Sequence, residues 1–366
     1  MRLQMKVKKI LIIIASVIVG LAALVLLFFG FLTITEYYPK TTEPAIIGKP
    51  ETASASATDF KTGGEYTMIS WNIGYAALGK DEDFFMDGGK EIQPDSKDKV
   101  QKYLVGITDT LKKNPADIYF IQEIDEKAQR SYKINELTVL SNALKMEYSF
   151  AYNYKCIFVP IPFPPIGQVA SGVAIYTNVD QNNAVREPLP VPFSWPVRTA
   201  NLKRCMLVSR IPLTNSTREL VLVDFHLEAF DEGEGKIAQT KQLMDFVKAE
   251  YEKGNYVIAG GDWNQTFPTT GTTKYPVVWP DGWQPGSLGA GDIPAGWTIA
   301  ADDSAPTCRS VEFPYNDERA AKHEWQYYVI DGFLLSPNVE KKSVQTLDYN
   351  FDNADHNPVR LTFKLN

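Results

Sequence analysis

The chain has 366 residues, 44% of them hydrophobic and 12% aromatic, which is enough for one large domain or two ordinary ones. Its formal net charge is −7, and past residue 50 the balance is 31 basic against 42 acidic residues, a net of −11. That balance excludes a broad basic surface for gripping a nucleic-acid backbone, though not a local basic patch. Three cysteines, Cys156, Cys205 and Cys308, exclude a disulfide framework and read as small buried hydrophobes.

The N-terminus stands apart. Residues 1–9 carry Arg2, Lys6, Lys8 and Lys9, and the run Ile10–Thr35 has no charge at all. Spanning a bilayer takes about 20 apolar residues, so residues 10–35 are expected to form a transmembrane helix. The basic flank belongs in the cytoplasm, which places the rest of the chain outside it, on the cell membrane. A cleaved signal peptide has a shorter apolar region, roughly 7–15 residues, and the candidate site Ala53-Ser54-Ala55 lies far downstream. Residues 36–64, polar and Pro/Gly-containing from Lys40 to Gly64, read as a linker that holds a folded part, 65–366, off the membrane.

Beyond the linker, strands and helices alternate. "YTMISWNIG" is a strand, and "DKVQKYLVGITDTLKKN" places Val100, Tyr103, Leu104, Ile107 and Leu111 at helical spacing. "ADIYFIQEI" follows as a buried strand, then a helix over Ala128–Leu144. Strands come next around Tyr148, "SGVAIYTN", "RCMLVSRIP" and "ELVLVDFHL". A helix near Lys236–Tyr251 precedes "NYVIAGGDW", "YYVIDGFLLSP" and a final strand after Pro358. Two segments fit no regular element. Tyr75–Asp95 suits a disordered insertion better than does Thr269–Ser310, which holds Trp279, Trp283 and Trp297. Long structureless loops inside a compact domain are usually lids or binding loops.

The apolar strands share one oddity at or near their ends. Asn72, Glu123, His226, Asp262 with Asn264, Asp331, and Asp355 with His356 interrupt sequences otherwise made of Val, Ile, Tyr and Phe. Each has a bland explanation alone, as a strand cap, a turn acid or a core histidine. Burying all of them without partners would cost several kcal/mol apiece, so they are expected to meet one another or share a metal.

In this order the motifs "WNIG", "IQE", "DFHLE", "GGDWN", "IDGFLLS" and "ADHNPV" resemble those of the endonuclease/exonuclease/phosphatase superfamily, over roughly Tyr66 to the C-terminus. The resemblance implies an α/β fold, a four-layer α/β/β/α sandwich, with a Mg²⁺- or Mn²⁺-dependent phosphoesterase site at its strand ends. It implies metal ligation by Asn72, Glu123 and Asp355, and catalytic roles for the remaining groups. Asp262 would position or deprotonate water, Asn264 would donate to a phosphate oxygen, and Asp331 would fix and charge His356. His226 would contact phosphate or protonate the leaving group. Some relatives carry an acid where this chain has Gly74, so one metal contact is expected to be missing. Arg309, in "PTCRS", is a candidate phosphate grip or a structural ion pair. His323 matches no motif and reads as a surface residue. "CIFVPIPFPPIG", Cys156–Gly167, is unusually apolar for a connection and either packs on the sandwich or dips toward lipid.

These residues are expected to hydrolyse a phosphodiester outside the cytoplasm, in nucleic acid or in phospholipid. The alternatives are a small-molecule phosphatase and a binding protein that has lost catalysis. Nothing in the sequence calls for a protein partner. Asn264 heads a formal glycosylation sequon, and a glycan there would block the site. The host expected is therefore one that does not modify such sequons, a bacterium.

Overall fold

The computed structural model describes residues 2–52, 54–231, 233–270, 274–322 and 324–366. Ala53 of the candidate cleavage site and His323 lie outside them. Helix α1 (Arg2–Ile34) contains the apolar run, and its Gln4–Ile34 portion is long and apolar enough to cross a membrane.

The chain then lays down β1 (Glu43–Pro44), β2 (Ile46–Gly48), β3 (Glu65–Asn72), α2 (Lys97–Lys113), β4 (Ile118–Asp125) and α3 (Glu136–Leu144). The long hairpin β5 (Glu147–Val159) and β6 (Gly167–Thr177) follows, then β7 (Val185–Pro188), β8 (Cys205–Pro212), β9 (Glu219–His226), α4 (Glu234–Glu252) and β10 (Tyr256–Asp262). The two-residue strands β11 (Gln265–Thr266) and β12 (Gly286–Ser287), then β13 (Thr298–Ala300) and β14 (Cys308–Arg309), occupy the tryptophan-rich segment. Helix α5 (Asp317–Ala321), β15 (Tyr327–Tyr328), β16 (Asp331–Leu335), β17 (Val339–Thr346) and β18 (Val359–Leu365) complete the chain.

Among the described residues, two seven-stranded sheets form, ordered β1-β7-β8-β9-β10-β16-β13 and β17-β18-β3-β4-β6-β5-β2. They are mostly antiparallel, with the β9/β10 and β3/β4 pairs parallel. Strand alternation explains the layering, because successive side chains point to opposite faces. On β3, Met68 joins the core between the sheets with Phe120, Leu222, Ile258 and Phe333, while Ile69 and Trp71 face outward onto Val100, Leu104 and Ile107 of α2. On β9, Leu220 and Leu222 point inward, and Val221 and Val223 meet Leu243 and Val247 of α4. Both faces of each sheet are thus covered, giving the α/β/β/α sandwich.

Four sequence expectations are corrected. The helix expected from Ala128 starts only at Glu136. Arg130 and Ser131 turn their side chains back to the Asp125 carboxylate, Tyr132 and Lys133 adopt left-handed φ of 54° and 59°, and Asn135 caps the helix through Thr138 N. The segment 36–64 is not a free spacer, since β1 pairs with β7 and β2 with β5. Tyr75–Asp95 is folded, with Tyr75, Ala76, Ala77 and Leu78 buried in the core under α2. The Cys156–Gly167 segment is partly strand, because β5 runs on to Val159.

Candidate active site

The inward-facing rows of both sheets end in polar side chains, and sheet register brings those ends together. Asp262 is the partner of His226 on β9 and of Asp331 on β16, so three candidates stand side by side across one sheet. On the facing sheet, Val359 pairs with Ser70, which sets Asp355 and His356 beside the end of β3 and Asn72. Glu123 falls at a register shift between β4 and β6, with φ of 50°, and Asn264 has φ of 49° just past β10. Left-handed backbone costs an ordinary residue of order 1–2 kcal/mol and concentrates at functional sites.

The contacts divide the floor into two parts. In the first, His356 Nδ1 lies 2.8 Å from Asp331 Oδ2. Burial works against charge on His356, yet the Asp331 carboxylate outweighs it and its pKa lies well above the ordinary imidazole value. His356 Nε2 is 3.8 Å from Asp262 Oδ2, and His226 Nε2 is 3.4 Å from the same oxygen. Asp262 also accepts from Asn72 Nδ2 at 3.0 Å and from the Asn264 backbone N–H at 2.9 Å. Burial and the Asp331 charge push the Asp262 carboxyl up to about 6. Burial drives His226 the other way, well below the usual imidazole range, helped by the positive charges of Arg204 and His356. One imidazole is therefore held charged and the other neutral.

In the second part, Glu123 Oε1 accepts from Asn72 Nδ2 at 3.3 Å and lies 3.6 Å from His226 Nδ1. Burial raises its pKa, and burial pushes Asp355 up to about 6. Asp355 Oδ1 is buried with no hydrogen-bond partner among the described residues. A Cβ on Gly74, whose φ is +52°, would come within 2.9 Å of that oxygen. Leu78 Cβ would lie 3.0 Å away as well, so a side chain at position 74 would be both strained and crowded.

The donor set suits a hard divalent cation. An unpartnered carboxylate oxygen beside a second carboxylate and a carboxamide is an oxygen-ligand arrangement that gains from an added positive charge. Asp262, Asp331 and His356 also offer ligand atoms within 4.8 Å of one another. There, however, His356 Nδ1 is already engaged by Asp331 Oδ2 at 2.8 Å.

Glu123, His226, Asp262, Asn264, Asp355 and His356 form the floor of a cavity of about 250 Å³, with Asn72 and Asp331 bonded to them from outside its lining, and its walls are largely apolar, among them Phe84, Phe85, Ile161, Ile166, Phe230 and Trp283. Arg309 lines it too, but not as a free grip. Its guanidinium is buried and donates to the carbonyls of Leu78, Gly79 and Ser310, so it braces the Leu78–Gly79 turn. Sequence reasoning missed two other arginines in the wall. Arg130 stacks on the Tyr75 ring at 3.4 Å and pairs with Asp125, and Arg204 pairs with Glu228 and donates to the His226 carbonyl. It also missed a polar layer beneath the floor, where Gln122 Nε2 bridges Asp224 Oδ1 (2.6 Å) and Ser70 Oγ (3.2 Å) between the sheets. The signal was present, Ser70 and Asp224 lying two positions before Asn72 and His226 and Gln122 one before Glu123, but nothing in the sequence pairs them. The three thiols are buried and unpaired among the described residues.

No protein-family model and no curated protein sequence matches the chain. Solved structures do. An endonuclease/exonuclease/phosphatase from Beutenbergia cavernae superposes with a TM-score of 0.55 at 17% identity, over 82% of this chain and 72% of that one. Another from Bacteroides vulgatus gives 0.54 at 14% identity, over 83% and 100%. The catalytic domain of human Nocturnin, with a bound sulfate, gives 0.50 at 16% identity, over 84% and 97%. Likenesses at such low identity speak for the fold, and the fold of this chain is that of the endonuclease/exonuclease/phosphatase superfamily.

Proposed function

We propose that the chain is a membrane-anchored, divalent-metal-dependent phosphodiesterase acting outside the cytoplasm. The observation that carries this reading is the meeting of polar groups from six strand ends around one cavity, whose floor sets His356, held charged by Asp331, beside the Glu123, Asp262 and Asp355 carboxylates. Asn72, Glu123 and Asp355 would hold Mg²⁺ or Mn²⁺. The cation would offset the phosphate charge that repels a nucleophile and steady the departing oxygen.

The chain's own groups account for the rest. Asp262, fixed by Asn72 and the Asn264 N–H, takes a proton from water as the water oxygen bonds to phosphorus. One ester P–O bond breaks, and the departing oxygen leaves as an alcohol after gaining a proton from solvent. His356, kept charged by Asp331, donates from Nε2 to a phosphate oxygen as negative charge builds there. Asn264 has one amide hydrogen spoken for by the Leu227 carbonyl at 2.9 Å and another to offer phosphate. A neutral His226 contributes an N–H donor and not an acid.

The test is hydrolysis of bis(p-nitrophenyl) phosphate by the full chain in detergent. Activity with Mg²⁺ or Mn²⁺, stopped by chelator and lowered at least ~10³-fold in Asp262→Asn, is expected, since a lost general base typically removes about 10²–10⁴. Activity that survives chelation would refute the reading.

A further inference from the structure

Resting on the anchored phosphodiesterase reading, we propose that the cavity mouth is a lip lying against the bilayer, and that the substrate is a lipid phosphodiester taken from that bilayer.

Depth comes first. At 1.5 Å per residue, Ile10–Thr35 spans roughly 39 Å, against a hydrocarbon core of about 30 Å. With Lys8 and Lys9 at one face, the last turns of α1 reach the opposite headgroup layer. The folded part is docked on those very turns. The Trp195 ring lies 5.8 Å from that of Phe29, and its Nε1–H donates to Thr33 Oγ1 at 3.0 Å. Arg198 pairs with Glu36 at 2.8 Å, and Arg198 and Lys203 sit over the Tyr38 ring. Tryptophan, tyrosine and basic side chains gathered at the end of an apolar helix are the composition of a membrane interface.

The apolar surface continues from that level into the cavity. Cys156 Sγ and Tyr154 Oη, on β5, contact the carbonyls of Thr199 and Ala200, and Ile166 of the β5–β6 loop packs in one cluster with Ala200, three residues past Val197. Phe163 is 96% exposed, Ile161 71%, Val197 59% and Trp195 55%. Ile161 is at once outward-facing and part of the cavity wall, with Val159 and Ile166 deeper in. A molecule leaving the bilayer would thus meet hydrocarbon-compatible surface from the headgroup layer down to the polar floor.

The same walls speak against a nucleic-acid strand. Such a ligand is held by basic side chains that neutralise its phosphates. Arg130 is paired with Asp125 and Arg204 with Glu228, while Arg309 is buried with both terminal nitrogens on carbonyls and only its Nε unpartnered.

The experiment uses the full chain in vesicles of phosphatidylcholine, phosphatidylglycerol or sphingomyelin. Phe163, which lies outside the cavity wall, is changed to Asp. Hydrolysis of vesicle lipid should fall at least ~10-fold while bis(p-nitrophenyl) phosphate is turned over within about two-fold of the parent rate, roughly 1.4 kcal/mol of selective loss. Unchanged lipid hydrolysis, or an oligonucleotide cleaved in preference to every lipid, would overturn the proposal. A second readout does not need activity. A polarity-sensitive fluorophore on Phe163→Cys should emit as in an apolar medium and be quenched by lipid-borne quenchers. Water-like, unquenched emission would remove the lip. A lipid-buried fluorophore on a protein that cleaves no phosphodiester would instead sink the reaction and leave the lip standing.

Discussion

The two parts of the cavity floor are built from the same residue types and behave oppositely. Around His356 the charges answer one another: Asp331 Oδ2 holds the imidazolium and Asp262 is gripped by two donors, although the other Asp331 oxygen, Oδ1, is buried without a hydrogen bond. Around Asp355 the protein leaves a buried carboxylate oxygen without a partner, next to another carboxylate whose affinity for protons is raised by burial. In the first part folding alone sets charge against charge. The second is finished only by something brought in, and a buried unpaired charge of this kind is a cost that folding tolerates where a ligand offsets it.

Breaking the finished part should have the larger effect. Asp331→Ala and His356→Ala should each lower kcat by about 10²–10³, the usual range for removing one preorganised charge-stabilising donor. The double variant should be no worse than the single ones, because groups acting as a unit are non-additive. Multiplicative losses in kcat would dissolve the pair.

The unfinished part should respond through the metal. Glu123→Gln and Asp355→Asn should raise the Mg²⁺ or Mn²⁺ concentration for half-maximal rate about ten-fold, equivalent to roughly 1.4 kcal/mol. In thermal melts the cation should stabilise the parent, as any ligand selective for the native state does, and should stabilise these variants much less. Without metal, Asp355→Asn should melt at or above the parent, since it removes a carboxyl that burial disfavours. A lower metal-free melting temperature would place Asp355 with the finished groups.

The smallest effect sharpens the role of backbone at the boundary. Asn264 has φ of 49°. Asn264→Ala should be less stable than Asn264→Gly by about 1 kcal/mol in denaturant unfolding, because only glycine adopts that conformation without penalty. Equal stabilities would mean that the turn relaxes.

What was legible in the sequence was whatever periodicity carries. The α2 face, the buried strands and their polar ends follow from alternation, and the ends then had to be neighbours because both sheets terminate on one side. What periodicity does not carry stayed hidden. Arg130 enters the site from a turn that mimics a helix in composition, and its partner Asp125 lies upstream on β4. The Gln122–Asp224 bridge crosses between sheets. Arg309 looked available because its three acceptors are backbone carbonyls, which no residue identity announces.

The short strands β1 and β2 leave one more mark on the molecule. They are the outermost strands at one edge of each sheet, covering β7 and β5, while Phe60 from the same segment is buried in the core between the sheets. A polypeptide begun at residue 65 would lose all three. It would present the bare hydrogen-bonding groups of β5 and β7 to solvent, and unpaired strand edges recruit other chains. The stretch that joins helix to sandwich therefore also closes one edge of each sheet, and shedding it is expected to favour self-association.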